Sequence, residues 1–249
     1  MTVICFGSRK GGTAKTTTAR TMGAYLADRG YKVLCVDTDS QLNLTMLSDA
    51  APDAKTIYDV FFNKEPVDNS IQPLRKYDLL SSDPRIALAD AMLTQTGKEY
   101  RLKETLEKLK PKYDYILIDT APALGVMTTN ALTAADELII PIQADIVSLQ
   151  GIHQLMETVT AVKRYCNRDL KVEGILLTRY SQRSVISRDM RKQAERLAEM
   201  YGTKVFNTEI RECTALKEAD ALRQDIFEYS KRSNGAKDYK AFVEEYLHK

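Results

Sequence analysis

The feature that most constrains the fold is an alternation of short apolar runs with longer helical patterns. Seven such runs recur along the chain, each rich in β-branched or aliphatic residues. Runs that are apolar on both faces are typical of parallel strands buried between two layers of helices. The sequence therefore predicts an α/β fold with a doubly wound, mostly parallel sheet flanked by helices on both faces. The predicted strands are TVICFG, YKVLCVD, YDLLSS, YDYILID, ELIIPI, KVEGILLT and TKVFNTEI.

Helical patterns follow the strands, and nothing in the sequence marks a domain boundary. There is no repeat, low-complexity tract or Gly/Ser linker, so we expect one domain over residues 1–249. Gly30 is a predicted C-cap of the first helix. The stretch 51–68 is predicted to be a loop with one short helix at 57–62. The other predicted helices span residues 15–29, 102–109, 149–165, 185–201 and 236–247.

Composition narrows the class of protein without naming a ligand. The net charge of +2 is too balanced to indicate a nucleic-acid partner, so a basic surface has to come from local clustering. The four cysteines stand far apart without a C-x-x-C pair, which suits buried thiols in a reducing compartment. No apolar run approaches the roughly 20 residues that span a bilayer, and no signal peptide precedes the first strand. We therefore expect a cytoplasmic protein.

The segment FGSRKGGTAKTTTART, which follows the first predicted strand, has the parts of a phosphate-binding loop. Such a loop needs free backbone N–H groups, a following helix, a lysine for the outer phosphates and a hydroxyl for magnesium. Gly11 and Gly12 supply the flexible backbone, Lys15 the charge and Thr16 the metal ligand. The template G-x-x-x-x-G-K-[ST] fails at both of its glycines, where Arg9 and Ala14 stand. A plain turn between strand and helix is the alternative, and the added lysines and threonines argue against it.

The stretch RKGGTAKTTTA resembles the deviant Walker A loop of the ParA/MinD group of P-loop ATPases, whose pattern is K-G-G-x-G-K-[ST]. The resemblance implies a magnesium-dependent ATPase in which Lys10 reaches across a nucleotide-sandwich homodimer to the ATP of the other subunit. Lys10, Lys15 and Asp39 are then the expected catalytic residues. The expected nucleotide-binding residues of the loop are Lys10, Gly11, Gly12, Thr13, Ala14, Lys15, Thr16 and Thr17.

Ala14 departs from the family pattern, which has glycine at this position. A Cβ in the left-handed backbone region costs on the order of 1 kcal/mol. Because the other elements of the loop survive, we expect Ala14 to be accommodated at a negative φ.

Two further segments resemble the family. VLCVDTDSQLNLT is similar to its switch segment D-x-D-P-Q-G-N-x-T, in which Asp39 would orient the attacking water and Asp37 would lie close to the metal. Ser40 and Leu42 replace the usual proline and glycine. Capping of the next helix is the alternative role for the two aspartates. YDYILIDTAPALG resembles the Walker B strand and the D-x-P-P-x-L-G loop that follows it, in which Pro122 and Gly125 would shape the loop that faces the γ-phosphate. The metal site implied by the resemblance consists of Thr16, Asp37, Asp39 and Asp119.

The resemblance continues to the C-terminal part of the chain. GILLTRY and the tract that begins NTEIREC are similar to the segments that hold the base in the family. Any apolar sheet has such strand ends, so the assignment rests on the resemblance alone. The residues expected to frame the adenine are Thr178, Arg179, Ile210 and Arg211.

Members of the group differ in their partner, which is DNA for ParA-like proteins and membrane for MinD-like ones. The last predicted helix carries Glu244 and Glu245 and lacks a solid basic face, which argues against a membrane. The segment RYSQRSVISRDMRKQAER instead concentrates cations along one loop and helix, which favours contacts with DNA phosphates. A solvated helix is the alternative. The expected DNA-binding residues are Arg179, Arg183, Arg188, Arg191, Lys192 and Arg196.

The expected mechanism follows from this resemblance. ATP and magnesium bind, two subunits close through Lys10, and the joined basic surfaces grip double-stranded DNA without reading its sequence. A ParB-like partner would accelerate a slow hydrolysis, and the protein would lie on the nucleoid. No helix-turn-helix precedes the first strand, so operator binding is not expected. A membrane-positioning ATPase, a scaffold that has lost hydrolysis and a tyrosine kinase with related loops stay open as alternatives.

Overall fold

The computed structural model describes residues 1–248, and strands and helices alternate through them as the sequence predicts. The strands are β1 (Thr2–Phe6), β2 (Val33–Asp37), β3 (Ile71–Pro73), β4 (Asp78–Leu80), β5 (Tyr115–Asp119), β6 (Glu137–Gln143), β7 (Lys171–Tyr180) and β8 (Ile210–Arg211). The helices are α1 (Lys15–Asp28), α2 (Asn43–Leu47), α3 (Ile57–Phe62), α4 (Ala89–Met92), α5 (Arg101–Glu107), α6 (Val126–Ala134), α7 (Ile146–Tyr165), α8 (Val185–Met200), α9 (Thr214–Ala221), α10 (Ile226–Tyr229) and α11 (Asn234–Leu247). Short 3₁₀ turns lie at Val67–Ser70, Pro84–Leu88 and Lys98–Tyr100.

Within residues 1–248 the strands form one eight-stranded sheet in the order β3-β4-β2-β5-β1-β6-β7-β8. The paired strands are parallel, except that β3 runs antiparallel to β4. The sequence analysis missed β3, a three-residue edge strand that contains Pro73. Proline lacks an N–H for the ladder, and it is tolerated at an edge. The predicted class, a mostly parallel doubly wound α/β sheet, is confirmed.

The alternation of side chains along each strand feeds a separate core on either face of the sheet. In β1, Val3 and Cys5 join a core with α5, α6, α7 and α8. Ile4 and Phe6 join a second core, which also contains side chains from α1 and α11. Each strand therefore has two apolar faces, which is why the strands appear in the sequence as continuous apolar runs.

The last predicted strand, TKVFNTEI, is much shorter than expected. Only Ile210 of this run is in β8, and Val205 makes an isolated bridge to Ile175. The reason is a side chain on α11: Glu245 accepts hydrogen bonds from the backbone N–H groups of Asn207 at 2.7 Å and Thr208 at 2.8 Å. Those donors are satisfied outside a strand ladder, so the chain bends away from the sheet edge.

The predicted helices are all present, with ends that differ by a few residues. The short helix at 57–62 has the predicted bounds, and α7 begins three residues earlier than predicted. Gly30 has φ 88 just after α1, as expected for a residue that ends a helix. None of the helices in residues 1–248 is both long and apolar enough to cross a membrane.

The apolar side of helix α11 is buried against the rest of the fold. Tyr239, Phe242, Val243 and Tyr246 are buried in the second core. On the polar side, Glu244 accepts hydrogen bonds from Tyr25 at 2.8 Å and from Arg29 at 2.6 Å. The C-terminal helix is therefore packed against α1 by both kinds of contact.

Hydrogen bonds between neighbouring strand ends define the edge at which the site lies. Asp119 at the end of β5 is in register with Phe6 on one side and Asp37 on the other. Thr38 donates its hydroxyl to the carbonyl of Asp119 at 2.7 Å, and Thr120 donates to that of Phe6 at 2.7 Å. The ends of β1, β2 and β5 are thus fixed side by side, where ligands bind in such sheets.

Candidate nucleotide site

The loop between β1 and α1 wraps around the amine of Lys15. This side chain is buried, and Nζ donates to the carbonyls of Ser8 and Lys10, each at 3.3 Å. Burial lowers the pKa of Lys15, while the charges of Asp119 and Asp39 act to raise it. A buried ammonium held by loop carbonyls at a helix N-terminus is suited to bind an anion. Lys15, predicted to bind phosphate, thus has its amine among the carbonyls of the loop.

The expectation that Ala14 has a negative φ is wrong. Ala14 lies in the left-handed region at φ 66 and ψ 27, directly before α1. Its carbonyl accepts two hydrogen bonds from Thr18, from N–H at 2.8 Å and from the hydroxyl at 2.6 Å. These bonds hold the start of the helix, and the backbone keeps the conformation that glycine adopts most easily. Gly12 has φ 76 in the same loop.

Thr16 and Asp119 meet on the other side of the loop. The Thr16 hydroxyl donates to Asp119 Oδ2 at 2.6 Å. The second oxygen, Oδ1, is buried and has no hydrogen-bond partner among residues 1–248. Burial and the nearby charge of Asp37 raise the pKa of Asp119 to about 8. A fully buried carboxylate with one unbonded oxygen needs a cation or a donor, which fits a metal site.

Asp37 and Asp39 have different surroundings at the end of β2. Asp37 Oδ1 accepts from the N–H of Asp39 at 3.0 Å, and Oδ2 accepts from the N–H and hydroxyl of Thr45 at 2.9 and 2.8 Å. Burial raises its pKa to about 6 despite these bonds. Asp39 Oδ1 accepts from the N–H of Gln41 at 3.0 Å. Asp37 therefore positions the start of α2, and Asp39 has fewer protein partners.

Leu42, in the switch segment, has a left-handed backbone conformation like that of Ala14. It replaces the glycine of the family pattern and has φ 59 and ψ 24. Its N–H donates to the Asp39 carbonyl at 3.0 Å, and its own carbonyl accepts from Met46 at 2.8 Å. Both departures from glycine thus keep a glycine-like backbone.

The carboxylates fit a magnesium ion that is only partly bound by protein. No group of three or more His, Cys, Asp or Glu side chains in the described chain is arranged to hold a metal by itself. Magnesium in phosphate-binding sites commonly takes one or two protein ligands and completes its shell with phosphate and water. The Thr16 hydroxyl and Asp119, with its unbonded oxygen, have the chemistry of such a pair of ligands.

Lys10 is held within its own subunit. Its Nζ donates to Asp145 Oδ2 at 2.7 Å and to Gln143 Oε1 at 3.4 Å. Gln143 in turn donates to the carbonyl of Gly12 at 2.6 Å. The sequence analysis missed Asp145 and Gln143, although both stand at the carboxyl end of β6, where such residues are expected.

The four residues expected to frame the adenine lie around one small cavity of about 80 Å³ beside the phosphate loop. This cavity is also lined by Ala14 and Thr17. The Thr178 hydroxyl is already used, because its one hydrogen is shared between the carbonyls of Thr13 at 3.1 Å and Ile142 at 3.0 Å. The expected residues lining the cavity are Thr178, Arg179, Ile210 and Arg211.

The predicted DNA-binding residues do not all share one surface. Arg191 is half-buried, and it pairs with Glu209 at 2.6 Å and with Glu195 at 2.9 Å. Arg188 is exposed and donates to the carbonyl of Gln182 at 2.9 Å. The exposed face of α8 therefore carries Arg188, Lys192 and Arg196, with Arg183 and Arg179 exposed in and before the preceding loop.

Comparisons with known proteins give one consistent result. A family model described as AAA domain matches residues 1–172. The sporulation initiation inhibitor protein Soj of Bacillus subtilis is 36% identical over 242 residues, 95% of this chain and 94% of Soj. The chromosome partitioning protein ParA of Myxococcus xanthus is 34% identical over 250 residues, 98% of this chain and 87% of that protein.

A solved structure of cobyrinic acid a,c-diamide synthase from Mycobacterium smegmatis, with bound ADP and magnesium, has a similar fold. It superposes with a TM-score of 0.85 at 32% identity and covers 99% of this chain and 94% of that one. The similarity in sequence and fold thus extends over nearly the whole of each chain.

Proposed function

This chain belongs to the AAA domain family of ParA/MinD-type P-loop ATPases, and we propose that it acts in partition as an ATP-dependent dimer on DNA. It is an ATPase that uses ATP and magnesium, as its relatives indicate. The observation that carries the proposal is the meeting of Lys15, Thr16 and Asp119 at adjoining strand ends, with one buried carboxylate oxygen unbonded.

Each residue of the site has a distinct proposed role. Lys15 and the N–H groups of residues 11–16 bind the phosphates. Thr16 and Asp119 hold the magnesium, which when bound would neutralise charge on the triphosphate. Asp39 orients the attacking water and accepts its proton, and the hydrogen bond from Gln41 keeps one of its oxygens in place.

Lys10 is the proposed link between two subunits. Its pair with Asp145 is partly exposed, at 31% and 34% of the two side chains. Such a pair is worth about 0–1 kcal/mol, so Lys10 is released easily toward a phosphate of the other subunit. Large apolar side chains exposed at this same edge, Ile146 and Val147, support a protein surface here.

DNA is the proposed partner of the exposed cations on and before α8. The charges of Arg188, Lys192 and Arg196 lie on one face of α8, and a dimer doubles the number of phosphate contacts. Helix α11 supports DNA over a membrane, because its apolar side is packed in the core. A ParB-like protein would stimulate hydrolysis, and the dimer would act on the nucleoid in the cytoplasm.

Phosphate release with ATP and magnesium alone tests the enzymatic part of the proposal. We expect slow release from the parent chain, and nucleotide binding without release from Asp39→Ala. The name of the mycobacterial structure, a diamide synthase, implies a ligase that needs an acid and an amine donor as substrates. Phosphate release in the absence of both would distinguish the proposed ATPase activity from such a ligase. A parent chain that binds ATP and releases no phosphate, even with its partner, would be a scaffold instead.

Retention of arbitrary duplex DNA across a salt series tests the DNA part. The double variant Arg188→Gln, Arg196→Gln should reduce the salt slope by about 2 per subunit, since each cation neutralises one phosphate. The matched control, Lys163→Gln with Arg164→Gln, removes two exposed cations from the last turn of α7 and should leave the slope unchanged. Equal slopes for the two double variants would contradict a role for α8.

A further inference from the structure

A cavity of about 390 Å³ lies apart from the nucleotide site, between α1 and the turn that joins α9 to α10. Residues 47–49, at the end of α2, form a third wall, and residues 74–77 before β4 form the fourth. This volume falls in the range of small-molecule sites. Neither the phosphate loop nor the carboxylates of the nucleotide site line it.

Asp225 is a residue of this cavity whose carboxylate has one unbonded oxygen among the described contacts. Its Oδ1 accepts the N–H of Phe227 at 3.2 Å and caps α10. Its Oδ2 is buried and has no hydrogen-bond partner in residues 1–248. The side chain is 10% exposed, and Lys76 Nζ lies 3.8 Å from Oδ2, close enough for an ion pair but beyond hydrogen-bond reach. A buried carboxylate oxygen in this condition requires a donor.

The cations around the cavity, by contrast, all have carboxylate partners. Arg20 Nη1 donates to Asp220 at 2.9 Å. Lys76 contacts Asp28 and also Glu228, the latter at 3.1 Å. Arg75 pairs with Glu228, and Arg223 pairs with Asp49 at 2.9 Å. Among the described residues, each cation of the cavity thus has a carboxylate partner, whereas Asp225 Oδ2 receives no hydrogen bond.

The remaining lining suits a carbon chain. Ala24, Leu47 and Leu74 contribute aliphatic surface, and Tyr77 contributes its ring. We propose that this cavity binds a small aliphatic amine or guanidine, whose cationic group donates to Asp225 Oδ2 while its methylenes pack against Leu47 and Leu74. Burial raises the pKa of Asp225, and the hydrogen bond from the Phe227 N–H and the charge of Lys76 act in the opposite direction.

Isothermal titration of the full chain with putrescine and with agmatine, in the absence of nucleotide, tests this proposal. We expect at least one of them to bind with a dissociation constant below about 1 mM. The uncharged analogue 1,4-butanediol should not bind. Omitting nucleotide keeps the result independent of whether the chain hydrolyses ATP.

Two variants of the cavity locate the binding. Asp225→Asn keeps an oxygen for the Phe227 N–H and removes the charge, and it should weaken binding by about 10- to 100-fold. Gln224→Trp narrows the cavity at an exposed residue and should weaken binding without altering any charge. Glu157→Gln, an exposed carboxylate on α7, is the matched control and should bind as the parent does.

The proposal is overturned if neither putrescine nor agmatine produces heat up to about 10 mM, a result that assigns the donor for Asp225 to buried water. It is also overturned if butanediol binds as tightly as the diamine. Unchanged affinity in both Asp225→Asn and Gln224→Trp, with each variant folded by circular dichroism, would place the binding elsewhere.

Discussion

Replacing Ala14 by glycine tests the left-handed backbone of the phosphate loop. An L-residue at φ 66 carries a strain of about 1–2 kcal/mol that glycine does not. Glycine adds conformational freedom to the unfolded chain, which removes about 0.4–1 kcal/mol of the gain. The methyl group is only half-buried, so its loss removes a further few tenths at most. We expect a net stabilisation of about 0.5 kcal/mol, or a rise in Tm of about 1–2 °C.

Ala161→Gly is the matched control, because it makes the same chemical change in the unfolded chain. Ala161 is exposed in the interior of α7, where glycine costs about 1 kcal/mol relative to alanine. The two variants should therefore shift the free energy of unfolding in opposite directions, with a difference of about 1–2 kcal/mol. Urea unfolding followed by circular dichroism measures both midpoints without nucleotide.

The nucleotide affinity gives a second readout of the same variant. The loop already has the backbone that glycine would adopt, so Ala14→Gly should leave the dissociation constant of ATP within about threefold of the parent value. If Ala14→Gly lowers stability as much as Ala161→Gly does, or restores ATP binding to a parent chain that has none, the inferred loop conformation is wrong.

Three further variants test other contacts. Leu42→Gly relieves similar strain at φ 59 but loses a half-buried side chain, so the free energy of unfolding should change by less than about 0.5 kcal/mol. Asp145→Asn keeps the oxygen that accepts from the Ser148 N–H and weakens the hold on Lys10, so light scattering with ATP should detect more dimer than in the parent. Glu245→Gln should lower stability by about 1 kcal/mol at pH 7, a value reduced by solvent screening. Burial acts to raise the pKa of Glu245, but the bonds from Asn207 and Thr208 and the charge of Lys204 together lower it. This contribution is therefore present above the unfolded pKa and is lost as the pH falls through the folded pKa. Unfolding curves from pH 7 down to about pH 3 should thus converge for parent and variant, and a constant gap would refute the assignment.

The parts of the site that lie within one strand and its following loop could be predicted from the sequence. Lys15, Thr16 and Asp119 each follow an apolar run, and parallel strands bring such positions to one edge. The 2.6 Å contact between Thr16 and Asp119 is the physical consequence of that rule, because β1 and β5 are neighbours in register.

Contacts between long side chains could not be predicted in this way. The hydrogen bond from Lys10 to Asp145 depends on a loop geometry that the spacing of residues in the sequence does not determine. The cavity at Asp225 requires α1, α2 and the α9–α10 turn to meet, and no pattern along the chain records that meeting. The pairing of Arg191 with Glu209 similarly removes one cation from a stripe that helical spacing predicts.

The conformations of Ala14 and Leu42 show why a motif can lose its glycines and keep its shape. At both positions, hydrogen bonds of the residue's own peptide groups determine the backbone: Ala14 through two bonds from Thr18, and Leu42 through bonds to Asp39 and from Met46. Glycine is the least strained residue for that geometry, but it does not create it. A strain of about 1–2 kcal/mol at each site is offset by two hydrogen bonds, which together contribute about 1–3 kcal/mol, and by the packing of the helix that follows. The hydrogen bonds of the loop therefore hold its geometry after a motif glycine is replaced, and the replacement adds backbone strain.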